Sequence, residues 1–170
     1  MRITQTIVSI GLMLIASSAT WMYAQQQRTS DMLSVEDYLE IQQLYYLYAK
    51  DVDPGSEWSA AWMYTDDGSF SSGGDPVVGM EALQEFYEGV RQRHQSGIRH
   101  FNGTVTIVPT AEGASGSGYM LQIERRQEAG PIEITLFGTY TDKLVKTPNG
   151  WRIKDRKFRA DTWRGDSSGE

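Results

Sequence analysis

The sequence contains no cysteine and only two histidines among its 170 residues. Without cysteine the chain cannot form disulfides even in an oxidising compartment, so its core must be stable without them. Zinc sites in proteins are built mainly from thiolate and imidazole ligands, and two histidines cannot fill such a site without carboxylates. We therefore expect neither a disulfide framework nor a metal centre.

Basic residues are also scarce, with 16 lysines and arginines against 22 aspartates and glutamates, a net charge of −6. An acidic domain is a poor partner for nucleic acid or for anionic lipid. The chain shows no internal repeat and no phosphate-binding loop, because its glycine-rich stretch, 113–118, connects two predicted strands and does not open a helix. A length of 170 residues favours one domain with one core.

The only long apolar run lies at the start of the chain, from Ile7 to Ala16, after the positive charge of Arg2. Small residues follow it at 17–20, and Ala24 stands just before three glutamines, an order that is typical of a secretory signal peptide. We predict a signal peptide over 1–24, a flexible leader over 25–32, and export to the periplasm or the medium. The alternative is an uncleaved membrane anchor, since the segment barely reaches spanning length.

Three helices are predicted in the first half of the folded part. The first begins after Ser34, repeats its apolar residues at helical spacing and ends before Pro54. The second is short, with Ser56 as its cap and with Trp58 and Trp62 four residues apart on one face. The third covers about 80–93 and is followed by His94, which we interpret as a surface residue at a helix end.

From Ile98 onward the chain alternates apolar and polar residues and is predicted to form four long strands. In the first of them, Phe101, Val105 and Ile107 share one face, and His100 lies on the other. The second carries Tyr119, the third covers about 132–146, and a tight turn at 148–150 leads to the last, about 151–163. A polar tail follows over 165–170.

Helices followed by a strand meander predict an α+β domain over 33–164. We expect a cone, a curved antiparallel sheet wrapped around the three N-terminal helices, with an internal cavity suited to a small apolar ligand.

With these residues in view, the chain resembles the SnoaL-like group of the nuclear-transport-factor-2-like superfamily, whose members include scytalone dehydratase, bile-acid 7α-dehydratase and, more distantly, ketosteroid isomerase. Single pieces of the resemblance are weak, but their order and spacing are fairly specific for the fold. The pieces that carry it are Tyr48–Asp53 before Trp58, Tyr64–Phe70, Val78–Met80, Arg99–Phe101, Gly118–Tyr119, Gly138–Asp142 and Gly150–Ile153.

The resemblance implies a catalytic pair, because Asp53 matches the dehydratases' aspartate after the first helix and His100 their histidine opening the long strand. A histidine suits acid or base work near neutral pH, and a carboxylate can fix its tautomer. Arg159 lines up with an arginine of the bile-acid enzyme; it either faces inward to hold a substrate carboxylate or enolate, or is solvated. The predicted cavity wall consists of Tyr48, Trp58, Trp62, Phe70 and Tyr119.

Two functions remain open at this point. The first is a lyase or isomerase of the dehydratase type, acting without metal or organic cofactor on a small hydrophobic, cyclic, hydroxylated or carbonyl-bearing molecule. The second is an exported module that binds such a molecule or dimerises without catalysis. Only half of the dehydratase constellation is present. Val52 stands where scytalone dehydratase has a tyrosine, and its second catalytic histidine and its substrate-binding asparagine fall near Arg126 and Tyr140. We also expect a homodimer formed through the open face of the meander.

Overall fold

The computed structural model describes residues 32–93, 97–125, 127 and 129–161. The chain divides into Met1–Ser34 and a compact unit, Val35–Glu170. The predicted signal peptide, the leader up to residue 31, His94 and the polar tail all lie outside the described residues. Within the described residues, no helix is long and apolar enough to cross a membrane.

Two α-helices are present in the described residues, α1 at Val35–Val52 and α2 at Met80–Arg93. Helix α1 begins directly after Ser34, as predicted, and buries one face that contains Ile41, Tyr45 and Tyr48. Helix α2 buries Leu83 and Tyr87 against the rest of the domain.

The predicted middle helix is wrong, because a single 3₁₀ turn, Ala60–Met63, stands in its place. Its cap is Ser59, whose hydroxyl accepts the backbone N–H of Ala61 at 3.3 Å. Ser56, the predicted cap, instead donates its hydroxyl to a carboxylate of α1. The loop therefore continues past Trp58, and only Trp62 belongs to the turn.

One six-stranded sheet forms the rest of the described domain, in the order β2-β1-β6-β5-β4-β3. Neighbouring strands are antiparallel except for β1 and β6, which run parallel. This arrangement confirms the predicted α+β class. The strands are β1 Tyr64–Ser71, β2 Val77–Val78, β3 Ile98–Thr110, β4 Gly113–Glu124, β5 Glu133–Thr147 and β6 Gly150–Ala160.

A bulge in β3 determines which of its side chains face the helices. Its pairing with β4 shifts between Gly103 and Thr106, and Thr104 has a φ of 50°, the left-handed region that a β-branched residue rarely adopts. The extra residue reverses the alternation, so Phe101 is 55 % exposed while Val105 is partly covered. The prediction that these two share a face is therefore wrong, and His100 lies on the helix-facing side.

The centre of the domain is polar. Arg156 of β6 and Asp142 of β5 form a fully buried pair joined by two hydrogen bonds of 2.8 and 2.6 Å. The guanidinium lies 4.2 Å from the ring centroid of Tyr48 and 4.5 Å from that of Tyr140. Burial is the largest single influence on Arg156 and opposes its charge, but the attraction and hydrogen bonds of Asp142, together with Tyr64 and Tyr48, hold the pKa of Arg156 well above its usual value.

Tyrosines complete this centre, which we name the tyrosine–arginine cluster. The hydroxyl of Tyr87 bonds that of Tyr48 at 3.1 Å and that of Tyr64 at 2.6 Å. A side chain at Gly116 would overlap the Tyr45 hydroxyl, so only glycine leaves room for this ring beside β4. The members of the cluster are Tyr45, Tyr48, Tyr64, Tyr87, Tyr140, Asp142 and Arg156.

Replacing Asp142 by asparagine should destabilise the fold, because it leaves the guanidinium of Arg156 buried without a counter-charge. Removal of one partner of a buried pair typically costs about 3–5 kcal/mol. Denaturant unfolding measures this change in the free energy of unfolding. The matched control, Asp67→Asn, removes an exposed carboxylate that pairs with Lys154 and should change stability far less, because a solvated surface ion pair contributes little. An equally small effect of Asp142→Asn would contradict the assignment.

The buried phenols should make the fold sensitive to alkali. Burial raises the pKa of Tyr64, Tyr87 and Tyr140 well above 10.0. In the unfolded chain these groups ionise at about pH 10, so above that pH the unfolded state binds fewer protons and the free energy of unfolding should fall. Phenolate absorbance followed together with circular dichroism should show these tyrosines ionising only as the fold is lost. Their ionisation in a fully folded protein would contradict this.

Candidate functional site

Asp53 lies one residue beyond the end of α1 and is 6 % exposed. A carboxylate at a helix C-terminus gains nothing from the helix dipole, so its charge needs other donors. Its two oxygens accept the backbone N–H of His100 at 3.1 and 3.3 Å. The end of α1 is thereby tied to the start of β3.

The same carboxylate also meets the imidazole of His100, with Nδ1 and Oδ1 separated by 2.7 Å. The two side chains are 8 % and 9 % exposed, for His100 and Asp53 respectively. Because an ionised carboxylate can only accept, Nδ1 carries the ring proton and Nε2 is left as the acceptor. This is the arrangement in which a carboxylate orients an imidazole for proton transfer.

An open cleft of about 960 Å³ lies beside the pair. Its walls are the last turn of α1, the loop that follows Asp53, Trp62 of the 3₁₀ turn, and Arg99 at the start of β3. Asp53 lines this cleft directly, so the pair reaches the cleft through its carboxylate.

Asp51 is a cleft residue that the sequence analysis did not select. It is 6 % exposed and accepts the Ser56 hydroxyl at 2.7 Å and the Trp62 indole N–H at 2.9 Å. These bonds fix the loop that forms the cleft wall. The signal was available, because Asp51, like Asp53, is an acidic residue at a helix end where negative charge is disfavoured.

The residues predicted to wall the cavity or to bind the substrate separate into three groups. Trp58 and Trp62 line the cleft. Tyr48 and Phe70 are buried in the core, Tyr48 in the tyrosine–arginine cluster and Phe70 against the Phe86 ring at 5.0 Å between centroids. Both help to fill the interior and neither lines the cleft.

Tyr119 and Arg159 form the third group, and the structure corrects their predicted positions. Tyr119 is 60 % exposed, because the covered side of β4 consists of its even-numbered neighbours, which include Gly118. The Arg159 side chain is 74 % exposed and pairs with Asp161 at 2.8 Å. The arginine of β6 that faces inward is Arg156. Neither Tyr119 nor Arg159 belongs to the wall of the cleft.

Among the described residues, no group of three or more histidines, aspartates and glutamates is arranged to hold a metal ion.

Comparison with known proteins identifies the family of the chain. A family model for the SnoaL-like domain matches residues 33–157. Among curated proteins, none is similar enough in sequence to count as a match.

Several solved structures share the fold. An NTF2-like protein with a cystatin-like fold from Novosphingobium aromaticivorans is 21 % identical, with a TM-score of 0.67 over 86 % of this chain and 90 % of that one. A putative scytalone dehydratase from the same organism is 22 % identical, with a TM-score of 0.61 over 75 % and 86 %. A protein of unknown function from Mycobacterium tuberculosis is 25 % identical, with a TM-score of 0.67 over 81 % and 84 %.

Proposed function

The chain belongs to the SnoaL-like family of the NTF2-like superfamily, and from this premise we propose that it is a cofactor-independent lyase or isomerase. Its substrate is a small hydrophobic molecule, cyclic and bearing a hydroxyl or carbonyl group. The observation that carries the proposal is the 2.7 Å bond between Asp53 and His100 at the wall of an open cleft.

Elimination of water from a β-hydroxy carbonyl compound needs a base for the proton on carbon and an acid for the leaving oxygen. The Asp53 carboxylate, which is the part of the pair that lines the cleft, accepts the proton from the carbon beside the carbonyl. The electrons of that C–H bond form the new double bond as the C–O bond breaks, and the leaving oxygen takes the electron pair of the C–O bond and the same proton to depart as water. In an isomerisation the pair returns the proton to a different carbon. Neither course consumes an oxidant or a metal.

The burial of the pair supports this role. Both side chains are less than a tenth exposed, and a charge interaction strengthens where water is excluded. The backbone N–H of His100 also bonds the carboxylate, so the pair is held in one geometry before any substrate arrives. The similarity to the putative scytalone dehydratase is in line with an elimination, although at 22 % identity it carries the fold alone.

The second candidate is a non-catalytic binding module of the same fold. The position of Arg159 favours it, because the cleft lacks the inward arginine that the resemblance implies at that position. The cleft itself suits either function. Export through residues 1–24 fits both, and we retain it as part of the proposal.

We further propose that two copies pair through the outer side of the sheet. In the register of β3, β4 and β5, Phe101 stands opposite Leu121, which stands opposite Phe137. Phe101 and Leu121 are 55 % and 41 % exposed, and Ile134 on the same side is 63 % exposed. An apolar area of this kind on one sheet face is typical of an interface between subunits.

Loss of the catalytic pair should strongly lower the turnover of cyclic β-hydroxyketones, with β-hydroxytetralone as the first compound tested and naphthol as its product. Asp53→Asn and His100→Ala should each lower kcat/KM about 10²–10⁴-fold, the usual contribution of a positioned acid or base. His94→Ala, which changes the only other histidine in the sequence, is the control. Full activity in both site variants would refute the pair. Tight binding without any turnover by the parent protein would support the binding module.

Because the proposed dimer forms through the apolar outer face of the sheet, a charge introduced into that face should separate the two copies. Leu121→Glu should convert a dimer to monomer, because it places a charge in the centre of the apolar face. Light scattering after size-exclusion chromatography measures the mass, and circular dichroism verifies the fold. Val78→Glu, at an exposed position of β2, is the matched control. A monomeric parent protein would overturn the proposal.

A further inference from the structure

Two cations, Lys50 and Arg99, belong to the wall of the cleft. Neither forms an ion pair with a carboxylate among the residues that the structure describes. The only hydrogen bond that the Arg99 guanidinium makes within the described residues is to the Ile98 carbonyl, at 2.6 Å. An arginine with most of its donors unused is suited to a planar anion such as a carboxylate.

The acidic residues of the cleft do not compete for these cations. Asp51 accepts bonds from Ser56 and Trp62, and Asp53 accepts bonds from His100. The oxygens of both carboxylates are therefore occupied by hydrogen-bond donors of the protein, and in the described part of the chain neither carboxylate pairs with Lys50 or Arg99. Glu57 is the third acidic residue of the wall, and it is exposed to solvent.

An aromatic surface lies in the same cleft. The side chain of Trp58 is 67 % exposed, yet its backbone is held, because its carbonyl accepts the Arg91 guanidinium at 3.1 Å. Trp62 is half-buried and has the Arg152 guanidinium 5.6 Å from its ring centroid, although Arg152 itself does not line the cleft. The exposed indole of Trp58 provides a flat apolar contact for a ring.

From these three observations we propose that the ligand of the cleft is a flat, apolar ring compound that bears an anionic group, a carboxylate by preference. Its ring packs against Trp58, and its acid group binds Arg99 and Lys50. The inference rests on the proposed function only for the chemical step, in which Asp53 of the same cleft would take a proton from the bound molecule. The tyrosine–arginine cluster supports a cleft ligand, because it occupies the interior of the domain where a deeper ligand would lie.

The test compares three probes that share a ring system and differ in charge: naphthoate, naphthamide and naphthylmethylamine. Tryptophan fluorescence reports their binding to the full chain. Naphthoate should bind about tenfold or more tightly than neutral naphthamide, because a hydrogen bond to a charged group adds roughly one such factor. The cationic amine should bind most weakly.

Substitutions then locate the preference. Arg99→Gln and Lys50→Gln should each reduce the ratio of naphthoate to naphthamide affinity, and together they should bring it close to one. Naphthamide affinity should stay unchanged, which also shows that these variants are folded. Trp58→Ala should weaken both probes equally. Lys157→Gln, at an exposed position of β6 outside the cleft wall, is the control and should keep the parent ratio.

Equal affinity for the three probes, tighter binding of the amine, or an unchanged ratio in the Arg99→Gln, Lys50→Gln double variant would each overturn the inference. The ligand preference can be tested separately from catalysis, because Asp53→Asn should strongly lower turnover while the preference for naphthoate persists. A preference for naphthoate without turnover by the parent protein would keep this inference and favour the binding module.

Discussion

One carboxylate joins the two halves of the site. Asp53 accepts both the backbone N–H and the ring N–H of His100, and so fixes the end of α1 against the first residues of β3. The helix dipole gives no support to a negative charge at this position, which makes the His100 donors the main source of its stabilisation. The bulge at Thr104 completes the arrangement, since without the extra residue His100 and the apolar residues of β3 would lie on opposite sides of the sheet.

The filled interior explains why the cleft lies at the end of α1. Arg156 and Asp142 are buried charges, so they depend on each other and on polar neighbours in place of water, and the surrounding tyrosines lie against the guanidinium. The small residues of β4 allow Tyr45 to approach the strand closely, which occupies space that larger ligands would need. The ligand is then left with the surface formed by Trp58, Trp62 and the residues between α1 and β3. The cleft at the end of α1 is open to solvent on one side, and this suits a molecule whose charged group remains accessible to water.

Much of the fold and half of the site could be predicted from the sequence. Apolar periodicity and turn residues indicated the two α-helices and the long strands, and the order and spacing of short matching pieces indicated the family. The misses share a physical cause, which is that alternation along a strand depends on its register. A bulge cannot be read from residue types, so Phe101 was assigned to the wrong side, and a difference of three positions separates exposed Arg159 from buried Arg156. Both predicted tryptophans line the cleft, although a single 3₁₀ turn that contains only Trp62 stands in place of their predicted helix.

The proposed role of the Asp53–His100 pair depends most directly on the proton held between the two side chains. Nitrogen-15 NMR of the two histidine rings measures it, because each ring nitrogen reports whether it carries the proton, and His100→Asn assigns the signals. We predict that at neutral pH the His100 ring has its proton on Nδ1, with a downfield Nδ1–H resonance that disappears in Asp53→Asn. A His100 ring that exchanges between both tautomers, and that does not change in Asp53→Asn, would contradict the account.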